Sequence, residues 1–132
     1  MTLVGIGVDV VEVDRVERAV ARWGEAFLRR VYTPAELARA RPAAGRFPRL
    51  AARFAAKEAV MKALGVGWRA LAWREIEITN DALGRPRVRL HGAARRIADE
   101  RGVTDVLVAL SHTHAHAVAN AVAVRGPLPP TG

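Results

Sequence analysis

Residues 49–67, RLAARFAAKEAVMKALGVG, read as one long helix with a stop built into its end. Leu50, Phe54, Met61 and Leu64 recur at helical spacing and make an apolar stripe, and Gly65 closes the helix at Leu64. Lys57 lies on that stripe, with Glu58 and Lys62 at its flanks. Glu58 precedes Lys62 by four residues, the arrangement of a favourable surface ion pair, and its plain reading is a solvated contact of about 0.3–0.5 kcal/mol. Two features point further. Ala51, Ala55, Ala59 and Ala63 leave room for something to approach the helix, and Lys57 and Lys62 are the only lysines in a chain that otherwise uses arginine. Lysine, unlike arginine, serves as a compact point charge on phosphate.

Outward from this helix, the pattern alternates between strands and helices. Leu3 to Val13 reads as a strand, with Val4, Ile6, Val8 and Val10 on one side and Gly5, Gly7 and Asp9 opposing that apolar face. Asp14-Arg15-Val16-Glu17 has the form of a capping box and starts a helix near Arg15, whose polar side carries Arg15, Arg18 and Arg22 and whose apolar side ends at Trp23. Thr33-Pro34-Ala35-Glu36 opens a second helix, ended by Pro42, and a loop through Gly45 and Pro48 leads to the long one. Glu75–Ile78 and Val88–Leu90 form a hairpin about the turn 80–86, Gly92–Arg101 is a short helix, and Asp105–Leu110 and Ala117–Val124 are apolar strands joined through Ser111-His112-Thr113-His114-Ala115-His116. The sum is an α+β single domain, residues 3–124, an antiparallel sheet packed with a long central helix; residues 125–132, which include the end GPLPPTG, form a flexible tail.

Composition bounds the function. At 132 residues with 51% apolar and 26% charged side chains, the chain is large enough for one core that needs no staple. No cysteine is present, which closes thiol nucleophiles, thiolate zinc sites and disulfides together. The opening MTLVGIGVDV lacks the form of an export signal and no apolar run is long enough to span a bilayer, so a soluble, cytoplasmic protein is expected. With 21 basic against 13 acidic residues, a net charge of +8 predicts an anionic partner.

Three sets of residues could carry chemistry. Asp9 on a strand and Glu58 on a helix could share a hard divalent cation, usually Mg²⁺, which keeps several waters and takes further ligands from substrate phosphates. His112, His114 and His116, two apart, would face one side of an extended segment and could bind zinc. Gly5-Ile6-Gly7 and Gly65-Val66-Gly67 are incomplete phosphate-loop patterns, though a ligand could approach the backbone at Gly67. The arginines of the first helix, with Arg29 and Arg30 after it, suit an acidic protein surface as well as nucleic acid.

Taken together, GIGVDVVEVDRV, ARFAAKEAVMKALGVG, IEITNDALGRPRV and LSHTHAHAVANAVAV resemble, in order and spacing from Leu3 to Val124, the holo-acyl-carrier-protein synthases among the 4'-phosphopantetheinyl transferases. The resemblance implies transfer of the phosphopantetheine arm of coenzyme A to a serine of apo acyl carrier protein in fatty acid biosynthesis, with release of adenosine 3',5'-bisphosphate. It implies Mg²⁺ on Asp9 and Glu58, Lys57 and Lys62 near the diphosphate, and Arg53, His112 and Thr113 at the nucleotide end. Gly65, Gly67 and Pro86 would line the coenzyme, and Arg15, Arg22 and Arg30 would meet the acidic carrier protein. The family is typically a homotrimer with sites between subunits. Two departures stand out: Val66 replaces a frequent small hydroxyl residue, and Arg85 a usual lysine. Lys62 is expected to stabilise the leaving phosphate, and Glu58, a metal-bound water or His112 to take the serine proton. Rival readings from the residues alone are a basic nucleic-acid-binding module and a histidine-zinc hydrolase.

Overall fold

The sheet and the long helix meet through glycine and alanine. The structure, a computed structural model, describes residues 1–128. Strand β1 (Thr2–Glu12) pairs antiparallel with β5 (His116–Arg125), which pairs antiparallel with β4 (Asp105–His112), so the sheet runs β1-β5-β4. Helix α4 (Arg46–Leu64) crosses its inner face. A methyl group at Gly7 would stand 2.9 Å from both Ala63 N and Lys62 Cβ and would collide with the Ala59 carbonyl; one at Gly5 would collide with the Ala63 carbonyl. The space over the alanines is therefore taken by β1, whose backbone lies directly on the helix.

This reverses the expected faces of β1. Ile6 is 68% and Val10 62% exposed, while Gly5, Gly7, Asp9 and buried Val11 share the side that includes the contact with α4. The inward side carries small residues because only they permit such an approach; the branched side chains form an uncovered outer face with Val118 of β5.

The other side of α4 is covered by α1 (Val13–Trp23), α2 (Glu25–Val31), α3 (Pro34–Arg39) and the hairpin of β2 (Ile76–Asn80) and β3 (Pro86–Leu90); α5 (Gly92–Glu100) closes the end. Buried on both sides, α4 contributes Leu50, Phe54, Val60 and Leu64 to a single core. Several boundaries differ from the sequence reading. α1 starts at Val13 without a side-chain cap, so the box at Asp14 does not form. Helix α2 was not expected: Gly24, at φ 56°, breaks the chain into two short helices where one was read. α4 begins three residues early, with Pro48 inside its first turn, where proline is tolerated. The capping box of Thr33 and Glu36 forms as read. The strands around the histidine run extend to His112 and from His116, leaving residues 113–115 as the turn. Arg125, placed in the tail, ends β5; residues 129–132 of that tail lie outside the described residues.

Candidate active site

The approach of β1 to α4 brings an acid from each to one place. Lys62 donates to Val8 O at 2.9 Å and stands 3.4 Å from Asp9 Oδ1, so it pairs with Asp9 and not, as its spacing suggests, with Glu58. The second oxygen of Asp9, Oδ2, is buried and has no hydrogen-bond partner. Glu58 is half-buried, and burial, together with the negative charge of Asp9, pushes its carboxyl above the usual glutamate range, against the pull of Arg15 and Lys62. Two carboxylates that repel one another, one with an orphaned oxygen, suit a hard cation between them. Among the described residues no third His, Cys, Asp or Glu joins them in a metal-binding group. An ion held there would complete its shell from water and ligand oxygens, as Mg²⁺ does.

Glu58 and Lys62 open into a cleft of about 480 Å³ that Arg15, Arg30, Gly67 and Trp73 also line. Trp73 stacks on Phe54 at 4.8 Å between ring centroids, and the Arg15 guanidinium lies 5.5 Å from the Phe54 ring centre. The cleft thus joins one acid, Glu58, three cations and an aromatic wall, with Asp9 behind it on Lys62. Trp73 and Met61 in that lining carried no recognisable signal, since an aromatic or a methionine at helical spacing reads first as core.

The remaining candidates are dispersed within one chain. Arg53 is buried, donates from Nη2 to Asn80 Oδ1 at 3.2 Å, and leaves Nε without a partner; Arg49 Nε is likewise unpartnered. That end of α4 is an electropositive cluster facing the hairpin turn. Pro86 lines a separate groove with Leu110 of β4. His112 ends β4, exposed, and Thr113 organises the adjoining turn by accepting from His116 N at 3.1 Å. Gly65, at φ 75°, caps α4 in the left-handed conformation. Arg22 stacks over exposed Trp23 on the outer side of α1, 4.9 Å from its ring centre, so Trp23 does not serve the apolar face assigned to it. The three histidines 112, 114 and 116 form no metal-binding group among the described residues.

Lys57 requires a correction. It was placed beside phosphates, yet it is wholly buried, its Nζ 2.8 Å from Glu36 Oε1, 3.2 Å from Trp73 O and 2.5 Å from Ile76 O. Burial drags its pKa below the ordinary lysine range, and the Glu36 carboxylate works the other way. Glu36, read as a cap alone, is equally buried and also accepts from Ile78 N at 2.9 Å.

This arrangement of strand acid, helix acid and lysine sits in a chain whose residues 5–119 match the 4'-phosphopantetheinyl transferase superfamily, and the chain belongs to that superfamily. Within it the likeness narrows to one kind of protein. The holo-[acyl-carrier-protein] synthase of Solibacter usitatus is 46% identical over 121 residues, covering 91% of this chain and 97% of that one. The crystal structure of the synthase of the same name from Neisseria meningitidis superimposes with a TM-score of 0.85 at 38% identity, covering 94% of this chain and all of the other. That from Helicobacter pylori, solved in complex with coenzyme A, gives 0.80 at 29% identity over 90% of this chain and 99% of its own.

Proposed function

We propose that this chain transfers the 4'-phosphopantetheine arm of coenzyme A to a serine of an apo acyl carrier protein, releasing adenosine 3',5'-bisphosphate, in a Mg²⁺-dependent reaction. The observation that carries the reading is the meeting of Asp9 and Glu58 beside Lys62, with Asp9 Oδ2 buried and unpaired, in a chain similar to synthases one of which is described in complex with coenzyme A.

Asp9 and Glu58 would hold the ion, which when bound withdraws charge from the diphosphate. The chain's own part is positioning and charge neutralisation, with no protein nucleophile. Lys62 spends two hydrogen bonds on β1 and keeps a donor for the leaving phosphate. Arg15 and Arg30 flank the cleft and, with Arg22 further along α1, meet the acidic carrier protein. Gly67 presents a wall without a side chain to the arm of the coenzyme, and Gly65 sets the turn that leads to it. Arg53, with its unpartnered Nε, takes the 3'-phosphate end together with His112 and Thr113, and Pro86 borders the coenzyme.

These last groups lie away from the cleft in a single chain. A homotrimer with sites between subunits accounts for that, and the uncovered face of Ile6, Val8, Val10 and Val118 supplies the surface for it. Among the described residues no helix is long and apolar enough to cross a membrane, and we assign the activity to the cytoplasm, serving carrier proteins of fatty acid synthesis.

The test is mass spectrometry of apo carrier protein after incubation with coenzyme A, Mg²⁺ and the purified chain. One added phosphopantetheine arm is expected, lost with Asp9→Asn or Glu58→Ala. An unmodified carrier, or transfer undiminished in both variants, would overturn the reading.

A further inference from the structure

Lys57 precedes Glu58 on α4 but projects into the core, and its ammonium has three protons. All three are spent inside the chain: on Glu36 Oε1 at 2.8 Å, Trp73 O at 3.2 Å and Ile76 O at 2.5 Å. None is left for a ligand. Glu36 is as fully committed. Its Oε1 also accepts from Thr33 N at 2.8 Å, and its Oε2 accepts from Ile78 N at 2.9 Å. One buried ion pair therefore ties four segments to a single point: the start of α3, the turn at Trp73–Glu75, the first residues of β2, and α4 one residue before its metal-binding acid.

An ion pair of this kind is a poor device for stability alone, because well-packed apolar residues of the same size often do as well or better. What an apolar pair lacks is direction. The hydrogen bond from Lys57 Nζ holds the carbonyl of Trp73, and the Trp73 ring, stacked on Phe54, lines the same cleft as Glu58 and Lys62. We propose that Glu36, acting through Lys57, is a positioning residue for the cleft: the pair registers the Trp73 wall against the α4 wall that carries Glu58. The inference rests on the transferase reading for its kinetic consequence, though not for its structural one.

The experiment uses Glu36→Gln, Lys57→Met and the paired apolar swap E36L/K57M, which strands no buried charge and stands in if a single variant fails to fold. For each, kcat and KM for coenzyme A are measured, together with calorimetric binding of adenosine 3',5'-bisphosphate in the absence of metal. Positioning predicts a fall of at least about tenfold in kcat, with KM and bisphosphate affinity within about threefold, and a double variant no worse than the poorer single. A Lys57→Met variant that loses more than about tenfold in bisphosphate affinity while Glu36→Gln keeps it would show Lys57 acting on phosphate directly. A paired swap with wild-type kcat would show a pair that only fills space. A separate readout needs no turnover: in a Trp23→Phe, Trp68→Phe background, Trp73 is the sole indole, and its quenching by iodide is expected to rise at least about twofold in E36L/K57M as the wall loosens. Unchanged quenching overturns the proposal. A wild-type chain that transfers no arm refutes the transferase reading and leaves this comparison standing.

Discussion

Replacing Gly7 with alanine tests the contact on which the site depends. The added methyl would stand 2.9 Å from Ala63 N and Lys62 Cβ, where ordinary contact begins near 3.4 Å, and closer still to the Ala59 carbonyl. Two of these three atoms are backbone, so no rotamer change removes the clash; β1 and α4 must separate by at least the 0.5 Å difference between 3.4 and 2.9 Å, and by more to clear the carbonyl. Over-packing of this sort costs about 1–3 kcal/mol, and the rigidity of the partners places Gly7→Ala at the upper end. Asp9 is two residues along the same strand, so the shift moves one acid of the pair relative to the other. A displacement near 1 Å at a reacting centre costs on the order of a hundredfold in rate. Urea unfolding monitored by circular dichroism should show a lowered midpoint, and the transfer assay a kcat reduced about 10–100-fold with a raised Mg²⁺ requirement. Gly67→Ala, with nothing within 4 Å of its new methyl, is the stability control. If Gly7→Ala unfolds at the wild-type urea concentration and transfers at the wild-type rate, the packing argument and the site built on it both fail.

Glu58→Gln is expected to abolish transfer while stabilising the metal-free fold. Because the folded state holds the Glu58 proton more tightly than the unfolded chain, its ionisation weakens the fold as pH rises through and above the usual glutamate range. Calorimetry should therefore show Tm of the metal-free variant above wild type at pH 8, with the difference lost in acid, where the wild-type carboxyl is protonated in both states. His114→Ala and His116→Ala, outside the acid cleft, should retain transfer within about twofold, and the purified chain should carry no stoichiometric zinc by elemental analysis. Reversing Arg22 to Glu should raise KM for the carrier protein about tenfold and flatten its dependence on ionic strength, since long-range attraction to an acidic partner is screened by salt. Ile6→Asp, on the uncovered sheet face, should leave the monomer fold intact by circular dichroism and yield monomers in analytical ultracentrifugation.

The long helix was legible because its period and its glycine stop agree, and the hairpin because Asn80 to Pro86 concentrates turn formers between alternating strands. The faces of β1 were not. Alternation tells which residues share a side but assigns the branched side to the core by default, and here the alanines of α4 let a glycine backbone in instead. Helix α2 escaped because seven residues after a glycine break are too few to display a period. Asp9 and Glu58 were singled out as acids on a strand and a helix, and the close packing brings them together. Lys57 was misread for a physical reason: residues adjacent on a helix point about 100° apart, so the neighbour of a cleft residue can face the opposite way. Nothing in the spacing told that Glu36, twenty-one residues earlier, waits there to receive it.

In the proposed homotrimer, with the bare outer surface of the sheet as its seam, catalytic output becomes a question of abundance. Where sites are completed by neighbouring copies, the yield per chain climbs with the number of chains made and collapses on dilution, by mass action alone. Such a protein needs no effector to fall silent when it is scarce, and its melting temperature should drift upward as the solution is concentrated.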